Sequence, residues 1–238
     1  MTDKILFTID GVELAAEPGQ TIIEAADAAG IYIPRLCHQP GLNPFGSCRV
    51  CTVRCNGRPC SACTQPPAPG MVVENDVPDL QALRAELVEM LFVEGNHFCM
   101  FCEKSGRCEL QALAYRFGIL APRLDYCWPQ REVDMSHPDI LIDHNRCILC
   151  ARCVRTSQQV DGKNVFQFIG RGTKKRLAVN SRASLAGTDA SAADAAVAAC
   201  PVGALLKKRV GYAVPMGRRR FDKVPIGSPG DVAPGQEQ

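Results

Sequence analysis

The chain contains fourteen cysteines, and their spacing is the feature best able to support chemistry. The tightest group is Cys147, Cys150 and Cys153, in "CILCARCVR", with Cys200-Pro201 further along. A C-x2-C-x2-C run with a remote Cys-Pro is the ligand pattern of a bacterial-type [4Fe-4S] cluster. Zinc sites seldom use three thiolates at such close spacing. This group therefore predicts a [4Fe-4S] cluster.

A second group lies near the N-terminus, with gaps of ten, two and eleven residues. Its members are Cys37, Cys48, Cys51 and Cys63. This order is typical of a [2Fe-2S] cluster, although the first gap is longer than in plant-type ferredoxins. A structural zinc ribbon is the alternative. Cys55 and Cys60 compete with Cys63 as fourth ligand. Spacing favours Cys63, because Cys55 precedes the turn of a predicted hairpin and Cys60 would shorten its return arm.

A third group has only three thiols, Cys99, Cys102 and Cys108, in "GNHFCMFCEKSGRCELQ". A cubane cluster takes four ligands. Either His97 or Cys127 could complete the set, and the position of His97 next to three thiols favours the imidazole. The other histidines, His38, His137 and His144, have no comparable partners.

Three cysteines remain outside these groups: Cys55, Cys60 and Cys127. A free cysteine usually behaves as a small buried hydrophobe. We expect that role for all three.

Net charge, hydropathy and the absence of certain motifs exclude several classes of protein. The formal net charge of +2 predicts no strong field for nucleic acid or a membrane surface. No stretch is apolar enough to span a bilayer, and the alternating N-terminus predicts a strand rather than a signal peptide. A cytoplasmic location follows, where metal binding explains many cysteines better than disulfides. No dinucleotide fingerprint, P-loop or flavin motif is evident.

The N-terminal pattern predicts a hairpin, a helix and a cysteine-rich loop, as in a β-grasp ferredoxin-like domain. Residues 4–9 alternate, "DG" at 10–11 predicts a two-residue turn, and "VEL" returns. Thr21 and Glu24 predict a capping box for a helix that ends at Gly30. A second hairpin should turn at 56–57, and "MVVE" at 71–74 would close the sheet.

The remaining chain predicts further helices and one strand. A helix should begin at Pro78, with Leu80, Leu83, Leu87 and Leu91 on one face. A short helix should carry "CELQALAYRFG", a strand should lie within 162–172, and an alanine-rich helix should cover 189–199.

The expected fold class is α+β. The predicted bounds are 1–77 for a [2Fe-2S] ferredoxin-like domain, 78–118 for a helical His/Cys3 [4Fe-4S] segment, 119–139 for a linker, 140–212 for a ferredoxin-like [4Fe-4S] domain and 213–238 for an extended tail.

The order of these motifs resembles the N-terminal region of the large peripheral iron–sulfur subunit of respiratory complex I. It resembles more closely the small diaphorase subunit of soluble NAD-reducing nickel–iron hydrogenases. The closer match rests on the stretches "YIPRLC", "CRVC", "EGNHFC", "CEKSGRC", "CPVGAL" and "KKRVGYAVPMGRRR". Only Phe98 separates His97 from Cys99, whereas the complex I pattern has a wider gap.

The resemblance implies one [2Fe-2S] and two [4Fe-4S] clusters in a non-catalytic electron-transfer subunit. It implies that Cys63 and His97 fall on ligand positions. The implied partners are a flavin- and NAD-binding diaphorase subunit and the hydrogenase small and large subunits, which would hold the FMN, NAD and nickel–iron cofactors. The alternatives are the equivalent subunit of an NAD-dependent formate dehydrogenase or of complex I, and, in another class, a zinc-stabilised interaction module.

Overall fold

The computed structural model describes residues 4–229 and residue 231. Contacts divide these residues into two units, 4–88 with 227–229 and 89–226 with 231. The predicted α+β class is confirmed, because mixed sheets and short helices alternate along the chain. The finer division into five segments stays a prediction.

The first unit is built on a five-stranded sheet in the order β2-β1-β5-β3-β4. The strands are β1 (Ile5–Ile9), β2 (Val12–Ala16), β3 (Thr52–Cys55), β4 (Arg58–Ser61) and β5 (Val72–Glu74). Helix α1 (Ile22–Ala28) packs into the same apolar core, which includes Phe7, Ile9 and Val73. Strand β5 pairs in parallel with β1 and antiparallel with β3, so it closes the sheet as the sequence predicts.

Both predicted hairpins and the capping box are confirmed. Asp10-Gly11 and Asn56-Gly57 all have positive φ, as a type I′ two-residue turn requires. The backbone N–H and the hydroxyl of Thr21 each donate to Glu24 Oε2 at 2.8 Å. Gly30, with φ +72°, follows the end of α1.

Helix α2 (Pro78–Glu94) begins where the sequence predicts, but its leucines do not form the buried face. Leu83 is exposed, while Leu80, Arg84 and Val88 are buried. The buried stripe therefore includes a charged residue, which an apolar pattern does not reveal. The Arg84 guanidinium donates to the carbonyl oxygens of Thr52 and Asn75 and to Asn75 Oδ1 at 2.8–2.9 Å.

The second unit contains two small sheets. One is three-stranded in the order β10-β7-β6, from β6 (Val133–Asp134), β7 (Ile140–Asp143) and β10 (Leu205–Lys207). The other pairs β8 (Phe166–Ile169) with β9 (Arg176–Val179). Its helices are α3 (Glu109–Arg116), α4 (Arg152–Gln159) and α5 (Ala195–Ala198). Single 3₁₀ turns cover Cys99–Phe101, His144–Arg146, Gly172–Lys174 and Leu185–Gly187. Helix α3 and strand β8 lie where the sequence predicts them.

Two expectations for this unit are wrong. The alanine-rich helix covers only Ala195–Ala198, because Asp194 accepts from the Ser191 N–H and pairs with Lys163 instead of joining the helix. Residues 213–226, expected as part of an extended tail, form turns that bind the unit. In them the Phe221 N–H donates to the Gly106 carbonyl at 2.9 Å. Residues 230 and 232–238 of the predicted tail lie outside the described residues.

No helix in the described ranges has the length and apolar character that a membrane crossing requires.

Replacing Arg84 by Leu should destabilise the chain, because the two carbonyl oxygens and the Asn75 amide oxygen would lose their buried donor. We expect the free energy of unfolding to fall by about 3 kcal/mol. Leu83→Ala, one residue earlier on the exposed face, should change it by about 0.5 kcal/mol or less. Denaturant unfolding of the full chain measures both. Equal losses for the two variants would contradict the assigned role of Arg84.

Candidate iron–sulfur centres

The first centre is formed where a hairpin meets a long loop in the first unit. Cys51 precedes β3 and Cys63 follows β4, and the hairpin brings them together, with the Ala62 N–H donating to the Cys51 carbonyl at 3.1 Å. Cys37 and Cys48 come from the loop before it. The Cys37 N–H donates to Cys48 Sγ at 3.4 Å. The structure thus brings together the four cysteines that spacing groups.

Direct thiol contacts connect these four side chains. Hydrogen bonds from Cys48 and Cys63 lower the pKa of Cys37 to about 2. A hydrogen bond from Cys63 lowers the pKa of Cys51 to about 7, and the charge of Arg35 acts in the same direction. The same contacts raise the pKa of Cys48 and Cys63. The sulfurs therefore form one group that stabilises negative charge on some of its members.

Cys55 and Cys60 are not small free hydrophobes, which corrects the expectation for both. They form a disulfide across the β3–β4 hairpin, with their Cα atoms 6.4 Å apart. Cys55 lies next to the turn, opposite Arg58, and Cys60 lies opposite Val53, so the two are diagonal neighbours on the hairpin. Hence Cys63 lies beside Cys37 and Cys51, whereas the two alternative ligands, Cys55 and Cys60, are bonded to each other.

The third centre lies in the second unit and curls around one cavity; its members are Cys147, Cys150, Cys153 and Cys200. Leu149 and Ala151, the residues before Cys150 and before Arg152, both have positive φ. This left-handed conformation is uncommon for residues other than glycine, and such residues cluster at functional sites. It turns the chain back on itself within the C-x2-C-x2-C run. Helix α4 then begins at Arg152, which places Cys153 in its first turn.

Cys147, Cys150, Cys153 and Cys200 all line that cavity. The rest of its lining is apolar, including Phe168 and Leu177. Burial raises the pKa of Cys147 to about 11 and of Cys150 to about 12, while the N–H groups of Leu149 and Arg152 oppose the shift. Four sulfurs around one apolar space fit a cubane cluster, whose ligands must be thiolates.

The second centre is formed by a 3₁₀ turn, a loop and the start of a helix. Its candidate ligands are His97, Cys99, Cys102 and Cys108. Cys99 begins the turn Cys99–Phe101, Cys102 caps it, and Cys108 is the N-cap of α3. The Gln111 N–H points at Cys108 Sγ at 3.5 Å, and Gln111 Oε1 accepts from the Gly106 N–H at 2.7 Å. Gln111 thus fixes the loop that leads to the third thiol. Burial raises the pKa of Cys108 to about 12, and burial also raises that of Cys99.

His97 has the properties that a neutral metal-binding imidazole needs. Its Nε2 atom is buried and has no hydrogen-bond partner among the residues that the structure describes. Burial lowers the pKa of His97 to about 4, and the charge of Arg146 acts in the same direction. The ring is therefore neutral near pH 7. A buried ring nitrogen without a partner is costly unless something binds it, and an iron ion would satisfy it.

Gly95 and Gly203 leave room for the side chains of this centre, because neither has a side chain of its own. A Cβ at Gly95 would lie 2.6 Å from His97 Nε2 and 2.9 Å from the Asn145 carbonyl oxygen. A Cβ at Gly203 would lie 2.6 Å from Cys102 Sγ. Sequence reasoning missed both roles, although Gly95 stands two residues before His97 and Gly203 follows Cys200-Pro201.

No group of three or more His, Cys, Asp or Glu side chains within residues 4–229 and 231 is arranged to hold a metal ion. Three features nevertheless fit iron–sulfur clusters as the bound groups: the mutual contacts of the first four thiols, the cavity that four cysteines line, and the unpartnered Nε2 of His97.

The remaining cysteine and the other histidines have different settings. Cys127 is exposed, which corrects the expectation of a buried hydrophobe, because it lies in the irregular stretch before β6. His137 is engaged through both ring nitrogens, with the Ala190 carbonyl and the Asp139 N–H. His38 is buried beside Cys37, and burial lowers the pKa of His144.

Three family models match successive parts of the chain. Residues 2–78 match a 2Fe-2S iron–sulfur cluster binding domain. Residues 84–123 match the NADH-ubiquinone oxidoreductase-G iron–sulfur binding region. Residues 137–206 match the ferredoxin-like domain of NADH-quinone oxidoreductase subunit 3.

Whole-chain comparisons give matches of two kinds. The gamma subunit of the NAD-reducing hydrogenase HoxS of Cupriavidus necator is 42% identical over 220 residues, which is 92% of this chain and 94% of that protein. An NADH-quinone oxidoreductase chain of Streptomyces coelicolor is 34% identical, but its match covers 85% of this chain and only 24% of the relative. A chain in a crystal structure of an NAD⁺-reducing nickel–iron hydrogenase in the H2-reduced state superposes with a TM-score of 0.92, at 48% identity. That match covers 95% of this chain and 97% of the other.

The fold and these modules define an iron–sulfur protein of the electron-transfer class, with a 2Fe-2S binding domain followed by 4Fe-4S binding regions. Within that class, the chain belongs to the family of the gamma subunit of the NAD-reducing hydrogenase HoxS.

Replacing Gly95 by Ala should impair the second centre selectively, because the new methyl group would displace the His97 imidazole. We expect metal affinity at this centre to fall about 10- to 100-fold, the usual effect of losing a supporting contact. Iron and acid-labile sulfide per chain, with EPR spectra of the reduced protein, measure it. Glu94→Ala, at the exposed preceding residue, is the control. An unchanged iron content and spectrum in Gly95→Ala would contradict the assigned position of His97.

Proposed function

We propose that this chain is the electron-relay subunit of an NAD-reducing hydrogenase. It would connect a nickel–iron hydrogenase module, made of small and large subunits, with a diaphorase subunit that binds FMN and NAD. The observation that carries the proposal is the similarity to the HoxS gamma subunit over 92% of this chain and 94% of that protein. The overall reaction would be the oxidation of H2 with reduction of NAD⁺ to NADH. We further propose a cytoplasmic location.

The proposed ligands fall into three sets. The [2Fe-2S] cluster would be held by Cys37, Cys48, Cys51 and Cys63. One [4Fe-4S] cluster would be held by His97, Cys99, Cys102 and Cys108, and the other by Cys147, Cys150, Cys153 and Cys200. Bound clusters would supply one-electron transfer, and backbone N–H groups of this chain donate to the cysteine sulfurs Cys48 Sγ and Cys108 Sγ.

His97 in place of a fourth thiolate makes the second set less negative by one charge. Addition of an electron is easier at a less negative cluster, so the imidazole should raise the potential. The lowered pKa of His97 supports this role, because only the neutral ring can bind iron.

A second candidate is the corresponding part of an NADH-quinone oxidoreductase, which the descriptions of two matching family models favour. The higher identity to the HoxS gamma subunit, 42% against 34% for the Streptomyces coelicolor relative, argues against it. A zinc-stabilised interaction module is the candidate of another class.

Purification of the chain from its native host with its bound partners tests the function. We expect nickel, iron and flavin in the complex, H2-dependent reduction of NAD⁺, and EPR signals of one [2Fe-2S] and two [4Fe-4S] clusters. Molybdenum or tungsten in place of nickel would point to a formate dehydrogenase instead. A colourless chain with zinc and without acid-labile sulfide would remove the relay function altogether.

Exposed apolar residues beside the second centre support docking of a partner there. Met100 is 85% exposed and Phe101 is 72% exposed, in the 3₁₀ turn that begins at Cys99. Phe98, also exposed, stacks on Trp128 with their ring centroids 6.1 Å apart. Exposed apolar side chains that lie together commonly mark protein interfaces.

The variant Phe101→Glu should weaken recovery of the hydrogenase subunits with this chain, because a charge would be buried on docking. Val160→Glu places the same charge at an exposed apolar residue that follows α4 and should leave recovery unchanged. Quantified pull-down at increasing salt compares the two. Equal recovery for both variants would place the hydrogenase contact elsewhere.

A further inference from the structure

Arg146 connects the second centre with the third. It ends the 3₁₀ turn His144–Arg146, and the next residue is Cys147. Its side chain extends to the other centre, where Nη1 lies 3.7 Å from Cys102 Sγ and donates to it. One residue therefore contacts a thiol of the second centre and adjoins a thiol of the third.

The Arg146 guanidinium is fixed by two carboxylates. Its Nε lies 2.9 Å from Asp143 Oδ2, and Nη1 lies 3.2 Å from Glu103 Oε2. Asp143 is held in turn by the N–H of Asn145 at 2.9 Å. A planar guanidinium can satisfy several acceptors in one geometry, which an ammonium group cannot do. The direction of the N–H toward Cys102 is thus imposed by its surroundings.

The backbone at Gly203 covers this contact. A Cβ there would lie 2.6 Å from Cys102 Sγ and 3.4 Å from Arg146 Nη1. Gly203 follows Cys200-Pro201, so the loop that carries the last thiol of the third centre also packs on the sulfur of the second. Close packing keeps water from the hydrogen bond and strengthens it.

We propose that Arg146 is a positioning residue of the second centre, whose N–H···S hydrogen bond to Cys102 raises the reduction potential of the cluster there. The inference rests on the proposed ligand sets. A reduced cluster carries more negative charge on its sulfurs than an oxidised one. A charged donor stabilises the reduced form more, which is how hydrogen bonds to sulfur raise potentials.

Glu103 acts against this effect. Its carboxylate shares Nη1 with Cys102 and places a negative charge beside that sulfur. Removing this charge should therefore raise the potential of the second cluster, whereas removing Arg146 should lower it. Opposite shifts from two neighbouring residues separate electrostatic tuning from general damage, which would not produce a rise.

The test is an EPR-monitored redox titration of the intact complex with Arg146→Gln and Glu103→Gln. For Arg146→Gln we expect the reduced-to-oxidised ratio of the second cluster to fall at least tenfold at fixed potential, which is about 59 mV for one electron. Glu103→Gln should raise the same ratio, and Arg146→Lys should restore part of the loss. Arg209→Gln removes an equal charge from an exposed residue that pairs with the exposed Asp139, and it should shift nothing.

The two variants decide the outcome even if one of them fails to assemble. An unchanged or raised potential in Arg146→Gln, or a lowered one in Glu103→Gln, overturns the inference while leaving the proposed relay intact. Absence of a second [4Fe-4S] signal from the unmodified complex would overturn both the inference and the proposed function.

Discussion

Burial of sulfur is the constraint on which the structure depends. A cysteine binds iron as a thiolate, yet burial raises the pKa of Cys108 and Cys150 to about 12. Loss of those protons becomes favourable only when positive charge arrives with the cluster. The chain therefore buries groups whose charged state the bound metal must stabilise, so binding of metal and stability of the fold are linked.

The chain meets this constraint with short loops rather than with long elements. Left-handed residues such as Leu149 and Ala151 turn one run of cysteines toward a single cavity. The β3–β4 hairpin brings Cys51 and Cys63 together. Backbone N–H groups at the start of helices and turns then point at sulfur. Because these donors are backbone groups, no side-chain pattern in the sequence predicts them. The path of the backbone decides where they point.

Within the second unit, the two later centres share their supports. The Glu109 N–H donates to the Pro201 carbonyl at 2.9 Å, so the residues after Cys108 and Cys200 touch. The Glu109 carboxylate accepts two hydrogen bonds of 2.7 Å from Arg152, between Cys150 and Cys153. This pair is largely buried, and loss of one partner would leave an uncompensated charge. The two sites are therefore parts of one packed structure.

The sequence by itself determined the local features: both hairpin turns, the Thr21–Glu24 capping box and the grouping of cysteines by spacing. Each depends on residues close along the chain, where type and spacing dictate geometry. Tertiary structure decided the rest. The buried face of α2 includes Arg84 because distant carbonyl groups need a donor. Cys55 and Cys60 pair because the hairpin makes them diagonal neighbours, opposite Arg58 and Val53 respectively. Contacts such as Arg146 with Cys102 join residues 44 positions apart, and no local pattern encodes a contact that only packing creates.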